Sequence, residues 1–384
     1  MTDFSPMRAT ALIDTAALMQ NYQQLSAYAA AHANGKAPRV IAIVKANAYG
    51  HDLRIATGAF LRAGCDFFGV ATLKEALTVR KIAPSADILI LGYTPPQHAA
   101  RLAANKITQT VFSAEYTAAL AHTARLAGTE IAVHIKLDCG MHRLGFSPDE
   151  INTIATLIGQ KGICPTGIYT HFPNADTDIQ ATTHALARFL SCRAQLASKG
   201  YSLFAHAAAS AALLTLPDSV LDGVRPGLAL YGISPVKTRL PLCPALSLFS
   251  TVVQIHDLPS GTPLGYGGAF VTERPTRIGT VPIGYGDGIS RAFSGETVRV
   301  FHNNVAFTVP IVGRICMDYM MLDLGNTPVK TGDPVQIFYD IRKAAAGLQT
   351  IPYELLTTIG PRIKRKEISR QCSSFTRTEK QTSR

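Results

Sequence analysis

Lys45 closes the apolar run Val40-Ile-Ala-Ile-Val44 and opens the stretch Ala46-Asn-Ala-Tyr-Gly50. An ammonium at the edge of a buried strand loses hydration, so its pKa falls and a neutral amine becomes available to condense with an aldehyde. Four more polar residues stand at or just past the ends of apolar runs: Lys136 after IAVHI, His171 after GIYT, Ser210 beyond LFAH and Arg225 after LDGV. A lone lysine at a strand end is more often an ordinary surface charge. Several cations and donors converging on one rim make an anion-binding pocket instead. The stretch Gly223-Val-Arg-Pro-Gly-Leu-Ala-Leu-Tyr231 adds a glycine-opened turn whose N–H groups could hold a phosphate, although it also reads as a plain strand-to-helix turn.

Such convergence requires an element that brings strand ends together. From about residue 38 to 232, β-rich runs alternate with Ala/Leu-rich stretches long enough for helices. The runs are 40–44, 67–71, 87–91, 108–112, 131–136, 166–170, 203–206 and 221–224. Eight such units predict an α/β fold, an N-terminal (β/α)8 TIM-type barrel whose catalytic residues cluster at the carboxyl ends of its strands. After Lys237 the texture changes to alternating runs, 249–255, 278–283, 297–301 and 305–312, with glycine turns between them. These predict a C-terminal mainly-β domain. The expected boundaries are 1–240 for the barrel, 241–365 for the β domain and 366–384 for a basic, disordered tail. Residues 8–13 form a further strand free to pair with the C-terminal domain.

Composition narrows the function. A chain of 384 residues, 47% hydrophobic and 16% charged, has material for two cores. Residues 362–384 carry a net +6 of the total +11, so the basic balance belongs largely to the tail and argues weakly for nucleic acid. No run approaches the roughly 18 consecutive apolar residues of a membrane helix. Residues 1–10 contain Asp3 and Arg8 but no apolar run, which predicts a cytoplasmic protein without a cleaved leader. Seven scattered cysteines without CxxC spacing argue against a disulfide framework or structural zinc. No HExxH or comparable spacing predicts a metal site, and His51, His134 and His206 read as polar core or surface residues. Gly284, Gly286 and Gly288 lack the dinucleotide fingerprint and read as turn glycines.

The segment IVKANAYGHD (43–52) resembles the pyridoxal-phosphate signature of the alanine racemase family. Seven further blocks follow in family order: KLDCGMHRLGF (136–146), GIYTHF (167–172), HAAAS (206–210), VRPGLALYG (224–232), GYGGAF (265–270), PIGYGDG (282–288) and VGRICMD (312–318). The likeness runs from about residue 8 to 365. It implies pyridoxal 5'-phosphate as cofactor, interconversion of L- and D-alanine to supply D-alanine for peptidoglycan, and a homodimer with sites at the subunit interface. By the same resemblance Lys45 is the cofactor anchor and base on one face of the substrate, and Tyr266 of the partner subunit is the base on the other. Arg225 is similar to the arginine at the pyridine nitrogen, and His171 to a residue bridging Arg225 towards Tyr266. Tyr49 and Ser210 resemble phosphate ligands, with backbone contacts from Gly227 and Leu228. Arg143 and Met317 resemble groups that meet the substrate carboxylate. Lys136 matches a position that some members carbamylate to hold that arginine, and Tyr285 and Asp318 lie near the entrance.

Two positions depart from the family pattern. Ala209 stands where many members have Asn, and Gly360-Pro361 where some have a phosphate-touching tyrosine. Two alternatives stay open: an amino-acid racemase of broader specificity, and a non-catalytic pyridoxal-phosphate-binding homeostasis protein. Barrel-type pyridoxal decarboxylases are disfavoured, because they set an acidic residue where Arg225 stands. The β domain carrying Tyr266 argues against the non-catalytic alternative, which resembles the barrel alone.

Overall fold

The computed structural model describes residues 8–33 and 35–370. They form two units, one of residues 15–48 and 52–243, the other of residues 8–14, 49–51 and 244–369. The first strand, β1 (Ala9–Asp14), belongs to the second of these. In the other, β2 (Arg39–Ile43), β3 (Phe67–Val70), β4 (Asp87–Ile90), β5 (Thr108–Val111), β6 (Ile131–Lys136), β7 (Ile163–Tyr169), β8 (Phe204–Ala209) and β9 (Gly223–Arg225) close a parallel barrel. Strands covered on both faces read as continuous apolar runs, and all four residues of β3 are buried. The connecting helices start where side-chain oxygens satisfy their first N–H groups. Asp52 caps helix Leu53–Arg62, Thr72 caps Leu73–Ile82, Ser113 caps Ala114–Leu126 and Asp178 caps Ile179–Ser198.

The barrel interior is unusually polar. Phe67 of β3, His134 of β6 and Phe204 of β8 meet at ring-centroid distances of 6.0–6.2 Å. These strands are not neighbours in the barrel, so the contacts cross its interior. Gly167 makes room there, since a Cβ at that position would stand 2.5 Å from His134 Nε2.

The second unit continues with β10 (Leu246–Thr251), β11 (Gln254–Leu258), β12 (Pro263–Leu264), β13 (Phe270–Val271), β14 (Thr276–Val281), β15 (Thr297–His302), β16 (Val305–Val312), β17 (Met320–Asp323), β18 (Pro334–Ile337) and β19 (Lys364–Ile368). Nine strands join in the order β11-β14-β17-β16-β15-β18-β10-β1-β19, while β12 and β13 form a separate hairpin. β1 pairs antiparallel with β10 and parallel with β19.

Two expectations need correction. The run 249–255 is not one strand: β10 ends at Thr251, and the N–H groups of Val252 and Val253 turn to Asp333 and Thr280. Lys366, Glu367 and Ile368, expected in the tail, are paired strand residues of β19. That strand lies at the sheet edge, where exposed charges discourage further pairing, so it carries no apolar alternation to betray it. β17 and β18 were also not foreseen. The expected tail from residue 371 onward, and residues 1–7, lie outside the described residues.

Candidate active site

Lys45 leaves β2 into a strained turn. Ala46, Asn47, Ala48 and Tyr49 have φ of 52°, 53°, 53° and 52°, a left-handed run that costs L-residues on the order of 1–2 kcal/mol each. Strain of this kind persists only where the surroundings enforce it. Here the Ala48 N–H donates to Val44 O at 2.9 Å, the Leu53 N–H to Asn47 Oδ1 at 2.8 Å and the Ala46 N–H to Glu75 Oε1 at 2.7 Å. Burial lowers the pKa of the Lys45 ammonium, and the charges of Arg143 and Arg225 lower it further against the opposing Glu75. The neutral amine required for attack on an aldehyde is thereby favoured.

Arg225, at the end of β9, is buried against a ring nitrogen and backbone carbonyls, with no carboxylate bonded to it among the described residues. NH1 donates to His206 Nδ1 and O, both at 2.7 Å, and NH2 to Thr170 O at 2.6 Å and Ala207 O at 2.8 Å. Arginine can only donate, so His206 Nδ1 accepts and the proton sits on Nε2. Nε2 in turn donates to His134 Nδ1 at 2.8 Å, which places the His134 proton on its own Nε2. Tyr169 stacks on His206 at 4.8 Å, with Arg225 Cζ 5.0 Å and Lys136 Nζ 5.7 Å from its ring centroid. Burial lowers the Arg225 pKa to about 10, so the group stays cationic near neutrality.

Among the described residues Lys136 Nζ is buried without a hydrogen-bond partner, and burial together with Arg225 brings its pKa to about 8. His171 is held neutral at about 3 by burial and the charges of Arg225, Arg143, Lys136 and Lys45. The histidine hydrogen-bonded to Arg225 is therefore His206, which had read as a polar core or surface residue, and His171 joins the group electrostatically. Arg143 is exposed on the loop after β6. Asp138 shapes that loop by accepting from the N–H groups of Gly140 and His142, each at 3.0 Å.

Ser210 opens the short helix Ser210–Thr215, and its Oγ accepts from the Gly227 N–H at 2.9 Å and the Ala229 N–H at 3.3 Å. With both lone pairs engaged, the hydroxyl hydrogen remains to be donated. Gly227 and Leu228 adjoin it at the start of the 3-10 turn Leu228–Tyr231. Ala209 gives that short helix no side-chain cap, which an Asn would have offered.

The remaining residues lie in the β unit. Tyr266 is 68% exposed between β12 and β13, on a turn where Gly265, Gly267 and Gly268 take φ of 70°, 70° and 56°. Met317 O accepts the Gly286 N–H and Cys316 O the Tyr285 N–H, bringing Met317 and Tyr285 together. Asp318 accepts from Arg362 at 2.6 Å and Arg8 at 3.0 Å. The fully buried Asp287 pairs with the same two arginines. Tyr49 is buried with its ring 5.9 Å from that of Tyr353. The Gly360 N–H, in the Gly360-Pro361 pair, donates to Asp287 O at 2.8 Å.

Residues 13–235 match the family "Alanine racemase, N-terminal domain", and residues 245–367 match "Alanine racemase, C-terminal domain". The chain belongs to the alanine racemase family. An alanine racemase of Helicobacter pylori strain P12 is 35% identical over 375 residues, covering 92% of this chain and 97% of the relative. The structure of the Bacillus anthracis alanine racemase with bound L-Ala-P superposes with a TM-score of 0.86 at 31% identity, covering 96% of each chain. The Bartonella henselae alanine racemase, solved with covalently bound pyridoxal phosphate, gives 0.84 at 30% identity and covers 94% of this chain and all of that one.

Alanine racemases are pyridoxal-phosphate-dependent isomerases, and the barrel residues fit that cofactor. Lys45, Lys136, Arg143 and Arg225 supply positive charge, Lys136 Nζ is an orphaned buried donor, and the Ser210 hydroxyl is free to donate. Among the described residues no cluster of His, Cys, Asp or Glu could hold a metal ion, and no helix is long and apolar enough to cross a membrane.

Proposed function

We propose that this alanine racemase works through two bases, Lys45 of one subunit and Tyr266 of a second copy, on opposite faces of the substrate Cα. Racemisation removes a proton from one face and returns it to the other, so one base cannot serve both. Pyridoxal phosphate, when bound, supplies the electron withdrawal that makes the Cα proton acidic.

Lys45 anchors the cofactor and then serves as the base on its own face, for which a neutral amine is required. Arg225 faces the pyridine nitrogen as a donor that retains its own proton. Ser210, Tyr49 and the backbone of Gly227 and Leu228 hold the phosphate, while Arg143 and the Met317 backbone hold the substrate carboxylate. Lys136 supports Arg143, His171 links Arg225 towards the tyrosine, and Tyr285 and Asp318 line the entrance. Tyr266 stands exposed on a glycine turn, which suits a residue serving another subunit. The enzyme so assembled is a cytoplasmic homodimer supplying D-alanine for peptidoglycan.

The observation that carries this reading is a half-buried Lys45 at the end of β2, opening the left-handed run Ala46 to Tyr49, with burial and the charges of Arg143 and Arg225 lowering its pKa. Its test is a chiral product assay across a panel of amino acids with added pyridoxal phosphate, joined to borohydride fixation of the cofactor. Alanine should be the preferred substrate, with the label on Lys45. Comparable turnover of serine, lysine or arginine replaces alanine by a broader substrate class, and a label retained in Lys45→Ala removes Lys45 as anchor.

A further inference from the structure

Glu75 is the third residue of helix Leu73–Ile82 and forms a capping box with Thr72. In that motif the glutamate reaches back to the backbone N–H at the helix start. Glu75 Oε2 does this, accepting from the N–H groups of Ala71 at 2.9 Å and Thr72 at 3.1 Å. Oε1 is left over, and it crosses to the loop after β2, where it accepts the Ala46 N–H at 2.7 Å. Ala46 is the residue after Lys45 and the first of the left-handed run. We infer that Glu75 is a positioning residue for Lys45: its carboxylate holds the lysine-bearing turn by the Ala46 backbone and sets a negative charge beside the amine.

Helix capping alone leaves the second oxygen without a task, since one oxygen satisfies the box. The turn is where an external hold is needed, because four successive left-handed residues relax unless something fixes them. The charged groups that act on Lys45 are Arg143 from the loop after β6, Arg225 from the end of β9 and Glu75, with neutral His171 also within range. Glu75 is the sole acid among them and opposes the others.

This inference rests on Lys45 being the cofactor anchor, and one experiment separates the two failures. Full-length protein stripped of cofactor is offered pyridoxal phosphate from about pH 6 to about pH 10, a range spanning the descent of a lysine from its usual value. The adduct is fixed with borohydride and the Lys45 peptide quantified by mass spectrometry, with urea unfolding in parallel. Glu75→Gln removes the charge and keeps one accepting oxygen, enough for either the Ala46 N–H or the helix cap, so the ammonium releases its proton more easily and the capture midpoint should fall by about half a pH unit. Glu75→Ala removes both accepting oxygens and should add a roughly tenfold slower capture on the plateau, as expected for losing the hydrogen bond to the Ala46 N–H. Thr72→Ala disables the same helix cap and should lower the unfolding midpoint while leaving capture alone. If both Glu75 variants track Thr72→Ala in capture as well as stability, Glu75 is only a cap and the inference is overturned. If the wild-type protein fixes no cofactor on Lys45, the anchor assignment fails and takes this inference with it.

Discussion

A phenol and an amine on opposite faces of one carbon leave a signature that a rate alone does not. The equilibrium between enantiomers is balanced, so Tyr266→Phe must lower kcat/KM for L- and D-alanine by the same factor, about 10²–10⁴ for a lost general acid–base group. The asymmetry appears in exchange of the Cα hydrogen with heavy water. The enantiomer deprotonated by Lys45 should still exchange in the variant, and the other should not. Persistent exchange of both, or an unchanged kcat/KM, removes Tyr266 from the chemistry. Lys45 was legible from the primary structure because it caps an apolar strand in company with Lys136, His171, Ser210 and Arg225 at the ends of other runs. Glu75 was not, since its partner is a backbone N–H 29 residues away that any residue type would offer. His206 and His134 stayed hidden for a related reason: they bond to each other from β8 and β6, strands that are not neighbours, so only the folded barrel brings the two rings together.

At the scale of elements, the eight barrel strands were recognisable because short runs rich in apolar and β-branched residues alternate with stretches long enough for helices. The β unit was less so. Its edge strand β19 is charged, β12 and β13 are two residues each, and the strand-like run 249–255, with no Gly or Pro inside it, conceals the break between β10 and β11. Local pattern also misses close approach, as β7 shows. Alanine at position 167 would be unremarkable in an ordinary strand, yet its Cβ would meet the His134 ring at 2.5–2.6 Å, and that ring has nowhere to retreat inside a closed barrel. Gly167→Ala should therefore destabilise by about 1–3 kcal/mol, the cost of overpacking a filled core. It should also disturb the His134–His206–Arg225 chain and weaken cofactor affinity. Urea unfolding and pyridoxal phosphate titration check the two effects, and a wild-type unfolding midpoint would show that the interior is looser than the geometry requires.

For the whole molecule, the buried histidines and the proposed subunit exchange of Tyr266 each have a global readout. His134 and His171 are held at about 3 and His206 well below its ordinary value, in every case by burial first and then by nearby Arg225. Free histidine titrates near 6.5, so below that pH the unfolded chain binds protons that the folded chain refuses, and stability falls with acidification. From about pH 6.5 down to about pH 5, above the carboxylate range, the excess proton uptake of these three rings on unfolding should rise from about one and a half to nearly three, measurable from the slope of urea stability against pH. An uptake below one would mean that these rings are hydrated. The arrangement in trans is tested by mixing subunits. In a two-fold dimer of Lys45→Ala with Tyr266→Phe chains, one site loses both bases and the other recovers Lys45 from one chain and Tyr266 from its partner. Random reassortment makes half of the dimers hybrid, so about a quarter of all sites should regain wild-type activity although each variant alone is nearly inactive. Native mass spectrometry establishes that exchange has occurred. Hybrids formed without recovered turnover would place the tyrosine in the same chain as the lysine it serves, and the proposed interface would have to be abandoned.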